Sequence, residues 1–188
     1  MADLALNERD GLPDALRVLL EEYPRSGWTQ DPNFDGLIRF WLERHMMFRE
    51  VLTTMTKATQ GVLDAAADPA RFRAETSRYG GFFVNQLHHH HQIEDVHYFP
   101  KLQGKDARVA RGFDILDADH HAIDGYLAAF VEAANGVLQA EDGPAFRDAA
   151  AAHLKELQRL DGLLDRHLTD EEELVVPVIL KYGADLEG

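Results

Sequence analysis

The segments HHHHQIEDVHYFP (residues 88–100) and HLTDEEELVVP (residues 167–177) decide how this chain is read. Aligned on their histidines, they carry one pattern twice. His90 is followed by Glu94 and Pro100; His167 is followed by Glu171 and Pro177, with identical spacing and an offset of 77 residues. Residues four apart lie one turn above each other on a helix. Each copy therefore presents an imidazole and a carboxylate to the same side.

Around these copies, apolar residues recur three and four apart over long segments, the period of a helix with one buried face. The spacing predicts a first helix from about Phe34 to Ala67, its inward face carrying Ile38, Trp41, Leu42, His45, Phe48, Leu52 and Met55. Asp31-Pro32-Asn33 supplies cap candidates before it, and Asp68-Pro69 ends it. A second helix is expected from about Ala70 to Leu102, with Phe83, Leu87, His90 and Glu94 inward and Gly80-Gly81 as a candidate bend. After the turn at Gly104-Lys105-Asp106 comes a third, from about Ala107 to Gln139, with Phe113, Leu116, His120, Ile123 and Leu127 on one face. Glu141-Asp142-Gly143-Pro144 breaks the chain before a fourth, from about Ala145 to Tyr182. Long helices with short connections read as an all-α, up-down-up-down antiparallel four-helix bundle. Residues 1–31, with a short helix from Pro13 to Tyr23, are expected to cap one end, and residues 32–184 to form the bundle.

Helices one and three each bring one inward histidine, His45 and His120, 75 residues apart. The halves thus align as His45, His90, Glu94 against His120, His167, Glu171. Six such residues converging on a core, each flanked by apolar positions, would carry a heavy desolvation cost without a cation. Carboxylates bridge two cations and neutralise part of their charge, while neutral imidazoles serve as terminal ligands. Two glutamates and four histidines give each of two metals two imidazoles and a share of both carboxylates; a bridging oxide or hydroxide would complete five donors each.

Composition narrows the alternatives. The 188 residues include 33 acidic and 19 basic side chains, for a net charge of −14. That balance disfavours a nucleic-acid backbone or an anionic lipid surface as partner. No apolar run is long enough to span a bilayer, and the first 30 residues lack a secretion-signal pattern, so a cytoplasmic protein is expected. There is no cysteine, which excludes disulfides, thiolate nucleophiles and cysteine-held clusters. Any metal must be held by nitrogen and oxygen.

His-His-Gln-Ile-Glu ahead of Phe99-Pro100, Asp119-His120 ahead of Ile123-Asp124, and His167-Leu168 with Glu171-Glu172 ahead of Pro177 resemble the hemerythrin-like family of HHE cation-binding domains. The resemblance covers about residues 34–182. It implies a four-helix bundle around two iron ions (Fe2+/Fe3+), with His45, His90, Glu94, His120, His167 and Glu171 as ligands. Oxygen-carrying members place a second histidine four residues along the third helix; here Leu116 and Asp124 flank His120 at that spacing. The set instead resembles the four-His, two-Glu members linked to oxygen, nitric oxide or peroxide. The carriers also use an aspartate five residues after the last histidine, a spacing that Glu172 matches; the repeat favours Glu171.

The expected function is a di-iron protein handling oxygen, nitric oxide or peroxide, with an electron donor or signalling partner that the sequence does not name. An iron-binding or gas-sensing module without turnover is the alternative, and a reversible oxygen carrier or a two-metal hydrolase ranks below it. Other residues are set aside. Four consecutive helical residues sweep about 300°, so one or two of His88 to His91 face inward, and the repeat selects His90. His88, His89 and His91 are expected towards solvent or behind the ligands. His97 is a candidate proton relay or spare ligand, and His121 points away from His120. His153 lies about 21 Å along the axis from His167. Arg49 and Asp124, one turn after His45 and His120, are candidates to pair with each other, to orient ligands or to sit at the core edge.

Overall fold

The computed structural model describes residues 4–34, 36–65 and 67–183, and every regular element among them is helical. A 3-10 turn at Asp14–Leu16, the short helix α1 (Val18–Glu22) and a second 3-10 turn at Arg25–Gln30 precede the long helices. These are α2 (Gly36–Leu63), α3 (Pro69–Ile93), α5 (Ala110–Gln139) and α6 (Pro144–Tyr182). A π-helical turn, Glu94–Tyr98, joins α3 to the short α4 (Phe99–Gln103). Among the described residues, no helix is long and apolar enough to cross a membrane.

The expected all-α class and the four long segments are therefore present, with ends within a few residues of those expected. One segment departs. The second helix was expected to run unbroken to Leu102, and it passes straight through Gly80-Gly81 but opens into a π turn at Glu94. Pro100 explains the change. A proline lacks the N–H for the bond to the residue four back, and its ring crowds that carbonyl. The wider π turn just before it relieves the crowding. Pro177 sits inside α6 without such a break. The duplicated sequence pattern thus folds into two different backbones.

Two compact units partition the chain, with boundaries inside the long helices. The first comprises Met1–Met46, His90–His121 and Asp165–Gly188. Its core joins Leu12, Leu16, Leu19 and Trp28 of the N-terminal segment to Ile38 and Trp41, to Phe99, Leu102, Phe113 and Leu116, and to Leu174–Leu180. The last turns of α6 are apolar all round (Leu174, Val175, Val176, Val178, Ile179, Leu180), the pattern of a helix buried on every side. The N-terminal turns supply that cover, because Leu12, Leu16, Leu19 and Trp28 belong to the same cluster. Gly112 lets α5 approach closely here: a Cβ on it would meet both Leu174 methyls at 2.8 Å.

The second unit comprises Met47–His89 and Ala122–Leu164. Phe83 is the hub of its aromatic core, with ring centroids 6.0 Å from Phe48 and 6.1 Å from Phe130, both edge-on. Such edge-to-face pairs add to the stabilisation from area burial alone. A second cluster holds Val62, Phe72, Val137, Phe146 and Ala150. Along α2, the buried positions Ile38, Trp41, His45, Phe48, Leu52, Met55, Thr59 and Val62 follow the expected period, while Leu42 is only half-buried.

Candidate metal centre

Seven side chains of the first unit converge, one more than the sequence named. α2 contributes His45, the last turn of α3 contributes His90 and His91, and the π turn opens with Glu94. α5 contributes His120, and α6 contributes His167 and Glu171. Their donor atoms form two sets, each within 4.8 Å of one another: His45, His90, Glu94 and Glu171, and His91, His120 and His167. All are buried except His90, which is intermediate.

Within the first set, the Nε2 atoms of His45 and His90 face each other at 3.2 Å. In the second, those of His120 and His167 stand 3.1 Å apart. The two glutamates lie between the sets. Glu171 Oε2 is 3.5 Å from His45 Nε2 and 3.6 Å from His167 Nε2. Glu94 places Oε1 2.9 Å from His90 Nε2 and Oε2 3.7 Å from His120 Nε2. Each carboxylate therefore reaches both sets, as a bridging ligand must.

Polar atoms at this centre lack ordinary partners. Both oxygens of Glu94, Oε2 of Glu171 and Nε2 of His91 are buried without a hydrogen bond. A buried unsatisfied polar atom costs about 1–3 kcal/mol, so four in one cluster require an explanation. Burial pushes the carboxyls of Glu94 and Glu171 well above their ordinary range, and the charge on Glu94 raises Glu171 further. Burial also holds His91 well below the usual imidazole range, with neighbouring His120 adding to the effect, and takes His167 down to about 3. Neutral imidazoles with their lone pairs inward and carboxylates short of donors form a donor set for cations. The residues fit a metal.

Behind the donors, three imidazoles are held by carboxylates through Nδ1. His45 donates to Glu172 Oε1 at 3.0 Å, His120 to Asp95 Oδ1 at 2.7 Å, and His167 to Asp119 Oδ2 at 3.2 Å. This fixes the tautomer that turns each Nε2 lone pair inward. Glu171 takes the inward position and Glu172 the outer one. The indole N–H of Trp41 donates to Oε1 of Glu171. Two arginines of the N-terminal segment complete the layer: Arg9 binds both oxygens of Asp119, and Arg25 Nη1 donates to Glu172 Oε2 at 2.9 Å.

Of the two places expected for His91, towards solvent or behind the ligands, burial excludes the first. The ring is stacked on His120, with centroids 3.9 Å apart and planes 9° from parallel, and its donor atom joins those of His120 and His167. Repeat logic hid it, because the equivalent position in α6 is Leu168. That leucine is itself fully buried, so an apolar residue one place after His167 was the available signal. His88 and His89 are exposed, as are His97 and His121. Asp124 Oδ1 lies 3.5 Å from His88 Nδ1. His153 is buried in the second unit between Phe130 and Phe72.

The model of the hemerythrin HHE cation binding domain matches residues 36–179. No curated protein and no solved structure matches the chain.

Proposed function

The chain belongs to the hemerythrin HHE cation-binding domain family, and on that premise we propose that it is a carboxylate-bridged di-iron protein handling oxygen, nitric oxide or peroxide. One observation carries the proposal. Two sets of imidazole donors are joined by two carboxylates, each within reach of both sets. On this reading His45 and His90 would hold one iron and His91, His120 and His167 the other, with Glu94 and Glu171 available to both. The four long helices, joined by short connections, are taken as the up-down-up-down bundle that presents these side chains.

Bound iron would supply reversible one-electron chemistry and open positions for a small ligand. The protein's part is to bind, orient and dry the site. Glu172, Asp95 and Asp119 keep three imidazoles aligned. Phe99 covers one face of His120, with centroids 5.4 Å apart, and His91 covers the other. These walls limit water and so tune potential and bound-water acidity. With the two carboxylates shared, His45 and His90 would supply two imidazoles against three from His91, His120 and His167, leaving more room for a diatomic or peroxide on the His45/His90 side.

Binding without turnover is the second reading. It is favoured by the engagement of Asp95, Asp119 and Glu172 with imidazoles, which leaves them committed to orientation instead of proton transfer. The two readings separate experimentally. The iron-loaded chain is exposed to nitric oxide and to peroxide while its visible spectrum and the loss of peroxide are followed. Spectral change with catalytic peroxide loss supports turnover; spectral change alone supports sensing. No change with either ligand contradicts the function.

A further inference from the structure

Arg9 lies outside the residues that match the family, 36–179, yet it reaches the metal centre. Its guanidinium grips Asp119 with two nitrogens, one bond measuring 2.8 Å from Nη1 to Oδ1. Nε pairs with Asp170 Oδ2 at 3.1 Å, and Nη1 also donates to the Leu4 carbonyl at 2.8 Å. Both ends of the contact are dry, with side-chain exposures of 4% for Arg9 and 3% for Asp119. Asp119 in turn accepts the Nδ1–H of His167. A continuous path therefore runs from the N-terminal segment, through one carboxylate, to a donor of the three-histidine set.

We propose that Arg9 is a positioning residue of the metal centre, acting through Asp119 to set how strongly His167 donates to its metal. A bare carboxylate pulls on the Nδ1 proton and makes the imidazole a richer donor, which favours the higher charge state of the metal. A bidentate guanidinium draws off that charge and weakens the pull. Arg9 thereby holds the potential of the centre higher than Asp119 alone would allow. Arg25 forms the analogous outer contact behind His45 through Glu172, but its side chain is 41% exposed, so solvent screens it. Its influence on potential is the smaller of the two.

The inference rests on the di-iron reading for its redox consequence, and the test separates the two. Arg9→Gln, Arg9→Lys and Arg25→Gln chains are loaded with iron, and iron per chain and midpoint potential are measured. The expected result is a lower potential in Arg9→Gln with both irons retained, a smaller lowering in Arg9→Lys, which keeps the charge and loses the two-point grip, and a small shift in Arg25→Gln. An unchanged potential in an Arg9→Gln chain holding both irons overturns the proposal. In parallel, the His167 Nδ1 proton resonance is compared in the metal-free wild-type and Arg9→Lys chains, a lysine being unable to grip both oxygens of Asp119. A displaced resonance supports the path even where Arg9→Gln fails to fold; an unmoved one overturns it. A wild-type chain that takes up no iron sinks the di-iron reading, and the resonance still decides the path.

Discussion

His91 lies flat against His120, and the two rings are nearly parallel at stacking distance. Both belong to the donor set completed by His167. This places a third imidazole in one donor set and two in the other, so the two sets are unequal even though the sequence pattern is a near-exact duplicate.

Replacing that histidine by the residue its repeat partner carries is the direct probe. His91→Leu keeps the site filled and apolar, as Leu168 does, but removes one donor. Affinity for one of the two metals should fall by at least about 10-fold, since losses of this size follow even from disturbing groups behind the ligands. Competitive chelator titration checks it. Two sites of unchanged affinity in His91→Leu would make the stacked ring a packing element only.

Each of the two carboxylates reaches both sets, so on the proposed di-iron reading the loss of either would disturb both metals. Glu94→Ala and Glu171→Ala should each lose the dinuclear site. Elemental analysis after loading should give fewer than two metals per chain. Two metals retained in both variants would rule out the bridging assignment.

The unsatisfied atoms of Glu94, Glu171 and His91 also bear on stability. An ion that binds the folded chain and not the unfolded one stabilises it by about 2.7 kcal/mol at a free concentration 100 times its Kd. For a domain of this size that corresponds to a rise in Tm of roughly 5–10 °C. Melting curves with and without ferrous iron should show the rise, and a chelator should reverse it. Coincident curves would mean that the cluster does not take up the ion.

His153 gives a pH dependence separate from the centre. Burial between aromatic rings lowers its pKa to about 4, and its Nδ1 has no partner. The folded value lies below the unfolded one, about 6.5, so the unfolded chain binds the proton more readily between these values. Stability is therefore lost as pH falls from about 6.5 to 4, by at most about 3 kcal/mol from this group. His153→Leu should flatten that part of the acid-denaturation profile relative to wild type. Parallel profiles would contradict it.

The helical class and the converging His45, His90, Glu94, His120, His167 and Glu171 were legible because periodicity and duplication are local properties of a chain. His91 was obscured because the repeat holds leucine in its place. The π turn was obscured because a proline stands at the equivalent place in both copies, Pro100 and Pro177, and only Pro100 follows a π turn. Which acidic residues orient the imidazoles was not readable, since Asp95, Asp119 and Glu172 each sit beside equally plausible neighbours such as Asp117, Asp170 and Glu173. Arg9 meets Asp119 across 110 residues of sequence, from a segment without helical period. Tertiary packing alone brings them together.

The most direct test is the metal content of the chain purified from iron-supplied cells. Two irons per chain are expected, falling below two in Glu171→Ala. Zinc in place of iron, a single metal, or none after reconstitution would contradict the di-iron reading.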